Sequence, residues 1–572
     1  MKKSTQLIVI FSLTILTVLI LYAFRTFDDN RLMSWDWVFS VVSIRRILLL
    51  LIPGSIAALV LAKSQMPGDF PAPFLFVLSF AAAALFWREP EMIVDASRYF
   101  TQAKHLELYG ADYFLREWGK TIEAWTDLPL MPFIYGLTFR CLVEARIYVQ
   151  IINTLLFSFT VVLTYLTGKI LWDGETGFFG GMFMLGIPYI FTQVPLMMTD
   201  TPAMFFFSLA VFTFITAMQR GGLWVPAASA AISLAILSKY SLWLMLSLLI
   251  VIAAVQLFQA YRDAESISPG GYCGRAVIIF LAAACFAGFV LLLKHDVIAS
   301  QIGLLLTYQK PGLGRWGERF VSMFCFQLHP VITAFAAFSI YVAWRNKDPR
   351  YLIASWLMLL IVVLQIKRSR YTIIAFPTFA LMAAYGLKAL DGRVLKRGIV
   401  FSAVVCSLTV AVFAYLPFLK QTSAQNLQLA GDFIDTLPIK AVEVVTLPRL
   451  GDDVNIAVSV PLLDLYTDKR ICYDNGSNVL PWYAPAPEKI AVSPLRFTWI
   501  YKNPDYYSSG DCRALNASGG TVPGTAVAVI SGEAVKDLPE GVASKVRKYN
   551  NSKVFSIFDD IFYHQTLVTV YY

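Results

Sequence analysis

The sequence predicts a polytopic α-helical membrane protein with a C-terminal α/β domain outside the membrane. Three observations carry the prediction. Mean hydropathy is +0.62, with 57% hydrophobic and only 15% charged residues, a balance that excludes an ordinary soluble enzyme of this length. Apolar runs long enough to cross a bilayer recur through the first three-quarters of the chain. Beyond Tyr415 the sequence turns polar, with many Pro and Gly residues and no further span. The net charge of +9 fits basic loops on one membrane face, with a few cations on the other, and calls for no nucleic-acid partner.

In chain order, Met1-Lys2-Lys3 followed by Leu7 to Tyr22 lacks a small-residue cleavage site and is expected to be a retained first span with a cytoplasmic N-terminus. Candidate spans follow near 6–24, 47–63, 73–87, 147–170, 176–194, 201–218, 223–239, 241–259, 276–294, 329–345, 351–366, 372–388 and 398–417, about thirteen in all. Trp35 to Arg46 reads as an interfacial lead-in, because Arg45 and Arg46 are costly at mid-membrane. The basic loops Trp344–Arg350 and Lys388–Arg397 then fall on the cytoplasmic side, as the charge rule requires. The loop 88–146, the turns at Asp200 and Lys239, the segment Lys294–Pro330 and Lys367–Tyr371 fall outside. Residues 1–418 form the membrane domain and 419–572 the extracytoplasmic domain, in a multi-pass plasma-membrane protein.

Trp87 to Pro132 is the first long polar interruption. Ile93, Tyr99, Phe100, Ala103, Leu106 and Leu108 recur at helical spacing, which predicts an amphipathic helix lying along the membrane surface. Asp95 lies near its start, where the helix dipole favours a carboxylate and where a base can be placed. It also suits a plain helix cap. In the C-terminal region, Ser423 to Leu437 reads as a helix, and Ala441–Leu447, Phe497–Tyr501, Ala526–Ile530 and Thr566–Tyr572 read as strands. Cys472 and Cys512 fall in this domain, where an external compartment permits but does not require a disulfide. Cys141, Cys273, Cys285, Cys325 and Cys406 lie in or beside spans and read as packing residues. Neither the cysteines nor the four histidines show metal-ligand spacing, so a divalent metal is not indicated. Asn475, Asn516 and Asn550 begin short glycosylation sequons with a high chance rate.

Three external turns carry charge at span ends: Met198-Thr199-Asp200-Thr201-Pro202, Ser238-Lys239-Tyr240-Ser241 and Lys367 to Tyr371. Ionisable residues there are expensive and usually face a bundle interior or cavity. If they converge, they place carboxylates beside several cations, which suits a phosphate and proton abstraction from a hydroxyl. The plainer readings are a span cap for Asp200, an interface anchor for Lys239, and a solvated loop for Arg315, Arg319 and His329.

The order of Asp95-Ala96-Ser97-Arg98-Tyr99, Asp127-Leu128-Pro129-Leu130, the Asp200 and Lys239 turns, and the stretch Arg370 to Leu387 resembles the GT-C class of polyprenyl-phosphate-sugar-dependent glycosyltransferases. Within it, the chain is similar to the protein O-mannosyltransferase and lipid A aminoarabinose transferase superfamily, glycosyltransferase family 39 and its relatives. The likeness covers roughly residues 75–390. It implies inverting transfer of a hexose or pentose from a polyprenyl-phosphate donor to a lipid A, protein or envelope-glycan acceptor. Asp95 and then Asp200 are the implied catalytic residues. Lys239, Arg370 and Tyr371 are implied at the donor phosphate, and Arg98, Tyr99, Asp127, Arg315 and His329 are candidate substrate contacts. The chain departs from the family at Ala96, where a second acid is common, at Asp127-Leu128-Pro129, where relatives carry Lys before Pro-Pro, and in having two spans ahead of the catalytic loop in addition to the usual single one. A transporter or flippase lined by the same charged turns is the alternative, although no duplicated half is evident.

Overall fold

Apolar runs that must satisfy their own backbone in lipid become helices, and each run picked out above is helical in the computed structural model. The structure describes residues 3–572 apart from 65–67, 264–268, 310–316, 448–453, 475–496, 501, 509–511, 513–523, 536 and 560–564. Among the described residues, six helices are long and apolar enough to cross a membrane: Ile44–Lys63, Arg146–Leu171, Asp200–Arg220, Ser241–Arg262, Gly270–Leu293 and Arg393–Leu419. Pro71–Ala84, Trp224–Ser238 and Tyr351–Val363 are shorter apolar helices. The run 176–194 is interrupted after Leu185, and Pro188 starts a new turn over Pro188–Phe191, since Pro cannot donate to the preceding turn.

The two ends of the bundle are distinct. At one end lie the turns holding Asp200, Lys239 and Arg370, together with the start of His295–Leu304, where Lys294 Nζ donates to the Arg116 carbonyl at 2.8 Å. At the other end, Trp172 Nε1 donates to Asp348 at 3.0 Å, Lys388 pairs with Asp173 at 2.8 Å and Lys396 with Glu175 at 3.0 Å. The two basic loops therefore share a face, opposite the charged turns.

The C-terminal region holds a five-stranded mixed sheet. Its strands are β1 (Ala441–Leu447), β2 (Arg470–Cys472), β3 (Thr525–Ser531), β4 (Ser552–Phe555) and β5 (Leu567–Tyr571), in the order β2-β1-β3-β5-β4. β1 pairs parallel with β2 and β3, while β5 runs antiparallel to β3 and β4. Period-two alternation sorts the two faces. Val442, Val444, Ala526, Ala528 and Ile530 face the main core, whereas Val445, Leu447, Val527 and Val529 pack with Val546.

Three expectations need correcting. The loop helix Ile93–Tyr109 does not lie along the membrane with a solvated face: Ala96 to Ala103 are all buried, as are His105 and Leu106. It is sandwiched between the helix Leu130–Cys141 and the C-terminal elements Ile456–Ser459 and Val460–Leu465. A Cβ at Gly136 would lie 2.7 Å from the Ala103 carbonyl oxygen, so glycine is what permits this close helix approach. Phe497–Ile500 is one helical turn rather than a strand. Of the five membrane-region cysteines, only Cys406 is buried; Cys141, Cys273, Cys285 and Cys325 are exposed and do not pack the interior. Cys472 and Cys512, left open above, are joined in a disulfide. Asn550 is exposed, while Asn475 and Asn516 lie outside the described residues.

Candidate active site

Asp95 sits in the first turn of the loop helix, whose N-cap is Met92. It is thus inside the helix, not capping it, and it benefits from the positive end of the dipole. Arg98, one turn on, places Nη1 3.6 Å from Asp95 and Nη2 2.5 Å from Asp127. Gln102, another turn on, donates to the second Asp127 oxygen at 3.0 Å. The Asp127 backbone carbonyl accepts from Gln301 at 2.9 Å, and Gln301 in turn accepts from the Tyr240 hydroxyl at 2.5 Å. The helix face thus turns sequence spacing into a row of paired charges.

Arg370 joins this row to the spans. Its Nη1 meets Asp95 at 2.5 Å and its Nε meets Asp200 at 2.9 Å. Asp200 is the first residue of Asp200–Arg220 and accepts Lys239 on its other oxygen. Its carboxylate therefore serves two cations and makes no cap hydrogen bond. Lys239 lies over the Tyr371 ring at 5.6 Å, and Arg368 over the same ring at 5.2 Å. Glu318 accepts the Ser369 N–H at 2.9 Å and fixes the turn that carries both arginines. Tyr99 reaches the Asp200 turn through Thr199, 3.3 Å away.

Accessibility separates the roles. Asp200 is 1% exposed, Asp127 6% and Arg370 7%, but the Asp95 side chain is 25% exposed and that of Lys239 17%. Asp95 is the carboxylate a substrate can reach. Burial alone would raise its pKa, but Arg370, Arg98 and Arg368 more than offset this and hold it below the ordinary carboxylate range. It is an ionised acceptor at every physiological pH.

His329 is not brought to this cluster: it is buried and caps Pro330–Asn346, its Nδ1 accepting the Val331 N–H at 3.2 Å. Arg315 lies outside the described residues. Among the described residues, no three His, Cys, Asp or Glu side chains converge as a metal site.

The family profile of dolichyl-phosphate-mannose-protein mannosyltransferases matches residues 144–293. The fold is similar to that of ArnT from Cupriavidus metallidurans bound to undecaprenyl phosphate, with TM-score 0.54 and 11% identity over 88% of this chain and 98% of that one. The apo ArnT structure gives TM-score 0.52 and 11% identity over 86% and 97%. The chain shares the fold of ArnT. No curated protein matches the sequence.

Some parts of this site lay outside the sequence motifs. Glu91 accepts from Arg146 at 2.7 Å and from the Met197 N–H at 2.8 Å, while its own N–H donates to Tyr466 of the C-terminal region at 2.8 Å. Arg146 also donates to the Glu89 carbonyl. Lys104, on the loop helix, pairs with Asp464 at 2.6 Å and Glu144 at 2.8 Å. The available signal was a helix-spaced cation in a polar loop, which points to no particular partner.

Proposed function

We propose that this protein transfers a sugar from a polyprenyl-phosphate carrier to an extracytoplasmic acceptor in one inverting displacement, in the plasma membrane with its C-terminal domain outside. The observation that carries the reading is the junction at Arg370. One guanidinium links Asp95, the reachable carboxylate, to the buried pair of Asp200 and Lys239. A carrier phosphate is a ligand of the kind Arg370 and Lys239 would hold, and undecaprenyl phosphate is what the ArnT structure binds. The match of residues 144–293 to the mannosyltransferase family model and the ArnT-like fold favour transfer over transport.

The acceptor oxygen attacks the anomeric carbon while the bond from that carbon to the carrier phosphate breaks, its electron pair leaving on the phosphate oxygen. Lys239 and Arg370 stabilise that charge as it develops, and Tyr371 keeps the two neighbouring cations aligned. Asp95 accepts the hydrogen bond of an acceptor hydroxyl, orients its lone pair and takes its proton as the new bond to the anomeric carbon forms. Its low basicity in the free enzyme has a built-in remedy. A phosphate on Arg370 competes with Asp95 for the same guanidinium, so donor binding loosens the pair and makes Asp95 a stronger base. Asp200, fully enclosed, is a positioning residue for Lys239 and Arg370.

The test is transfer by the full-length protein in lipid vesicles, offered radiolabelled polyprenyl-phosphate sugars and crude envelope acceptors. Label moving to an acceptor in wild type, and lost in a normally folded Asp95→Asn protein, is the expected result. Transfer undiminished in that variant removes Asp95 from the mechanism. Absence of transfer together with carrier-lipid flux across the vesicle wall overturns the reading.

A further inference from the structure

We infer that the bundle end opposite the Asp95 cluster holds a binding site for one anionic phospholipid. A groove of about 1270 Å³ lies where the end of Leu248–Asp263, the second half of Pro330–Asn346 and the helix Tyr351–Val363 meet. Ile340, Leu352 and Leu359 line its wall, each more than half exposed. Arg262, Arg345 and Lys347 stand at its mouth.

Two features select the occupant. The first is charge. The acid at the mouth, Asp348, is already engaged by Arg350 at 2.9 and 3.1 Å and by Trp172. Among the described residues Arg345 and Lys347 make no ion pair, and the mouth is left with a positive excess. Basic pockets between helices at a membrane surface attract anionic headgroups.

The second is depth. From Leu352, beside the mouth, to Val362, the last groove residue on that helix, is ten residues, or about 15 Å along a helix. Half of a hydrocarbon core about 30 Å thick is the same length. The apolar wall thus spans one leaflet, with its cations at headgroup level. A soluble anion would use only the mouth, and a zwitterionic lipid would gain no net attraction there. A diacyl lipid with an anionic phosphate headgroup uses both.

The experiment is native mass spectrometry of the full-length protein in detergent, titrated with dioleoylphosphatidylglycerol or dioleoylphosphatidylcholine. The expected result is one phosphatidylglycerol retained at least about tenfold more tightly than phosphatidylcholine. The double variant Arg345→Gln, Lys347→Gln should lose that preference. Leu359→Trp, which fills the groove and leaves the cations in place, should lose the bound lipid. Equal retention of the two lipids overturns the proposal, as does phosphatidylglycerol binding unchanged in the double variant. Loss in the double variant but not in Leu359→Trp also overturns it, because the headgroup would then be held without the groove.

Discussion

Replacing Asp95 with Asn separates electrostatics from binding, because it preserves size and one acceptor oxygen while removing a charge. In the site, the carboxylates of Asp95, Asp127 and Asp200 face the cations Arg98, Lys239, Arg368 and Arg370. With Glu318 beside Arg368 the count is four against four, and the variant has one net positive charge. A phosphate held on Arg370 would lie about 6 Å from Asp95, the span of two hydrogen bonds across one guanidinium. At an effective dielectric of about 20, the repulsion between them is about 3 kcal/mol. Relaxation and water absorb part of that, so the expectation is carrier phosphate binding about tenfold more tightly to the variant. Turnover should fall at least about 100-fold, the usual scale for removing a proton acceptor. Arg370 keeps Asp200 as a partner, so the variant leaves no buried cation stranded. Calorimetric binding of a short-chain polyprenyl phosphate and single-turnover transfer, with Tm measured in the same detergent, read these effects. Affinity and turnover falling together at unchanged Tm would refute the charge argument, and unchanged turnover would refute the role of Asp95.

Four variants and one pH series test other parts of the structure. Arg370→Gln removes the largest influence that keeps Asp95 ionised, so burial then raises its pKa; the pH–rate profile should gain an acid limb absent in wild type, with carrier affinity falling rather than rising. In wild type the depressed pKa contributes stability above the ordinary value of 3.8, lost as pH falls through the lower native value, and a pH series of Tm should show this sign. Gly136→Leu forces a side chain against the Ala103 carbonyl and should cost about 1–3 kcal/mol, read as a lower Tm and as turnover lost ahead of carrier binding. Removing the disulfide with Cys472→Ser and Cys512→Ser frees a loop with a sequence separation of 40 and should cost about 3–4 kcal/mol, measured as faster proteolysis of the C-terminal region. Tyr466→Phe combined with Asp464→Asn releases both ties to the loop helix; turnover should drop while carrier affinity holds, and an equal loss of both would count against the brace.

The legible residues were those with few alternative explanations. Asp200, Lys239 and Arg370 stand at span ends, where a charge is expensive, and Asp95 lies in the first long polar loop; the structure brings these four together. Glu91 and Arg146 were illegible, because each sits beside a span and reads as an ordinary loop charge. Their third partner, Tyr466, is 375 residues from Glu91. Helical spacing revealed the loop helix but not what covers its polar face. Lys104 and His105 look solvated until the C-terminal region is docked on them, where burial lowers the pKa of His105 to about 4. In the sheet, the alternating apolar strands β1, β3 and β5 were legible. β2 has three residues, and the edge strand β4 is largely exposed, so neither offers an apolar pattern to read. Phe497–Ile500 fails for a related reason: four residues are too short for periodicity to separate a strand from a helical turn.

The burial of the loop helix changes what the C-terminal region does. A helix at a membrane surface, held only by its apolar face, would leave Asp95 free to shift by a fraction of a turn. Here the helix is tied near its start through Glu91, Arg146 and Tyr466, and in its second half through Lys104, Asp464 and Glu144. Burial raises Asp464 to about 6 and Glu144 to about 8 even with Lys104 beside them, so near neutral pH Asp464 is the ionised partner of Lys104 and Glu144 meets it as a protonated carboxyl. Asp200, Lys239 and Arg370, by contrast, are fixed by the spans. The site is therefore built from two bodies joined at Arg370 and at the Tyr99–Thr199 contact: the spans hold Lys239 and Arg370, and the C-terminal region braces the helix that carries Asp95. Precision at Arg370 therefore depends on the docking of the C-terminal region against the loop helix.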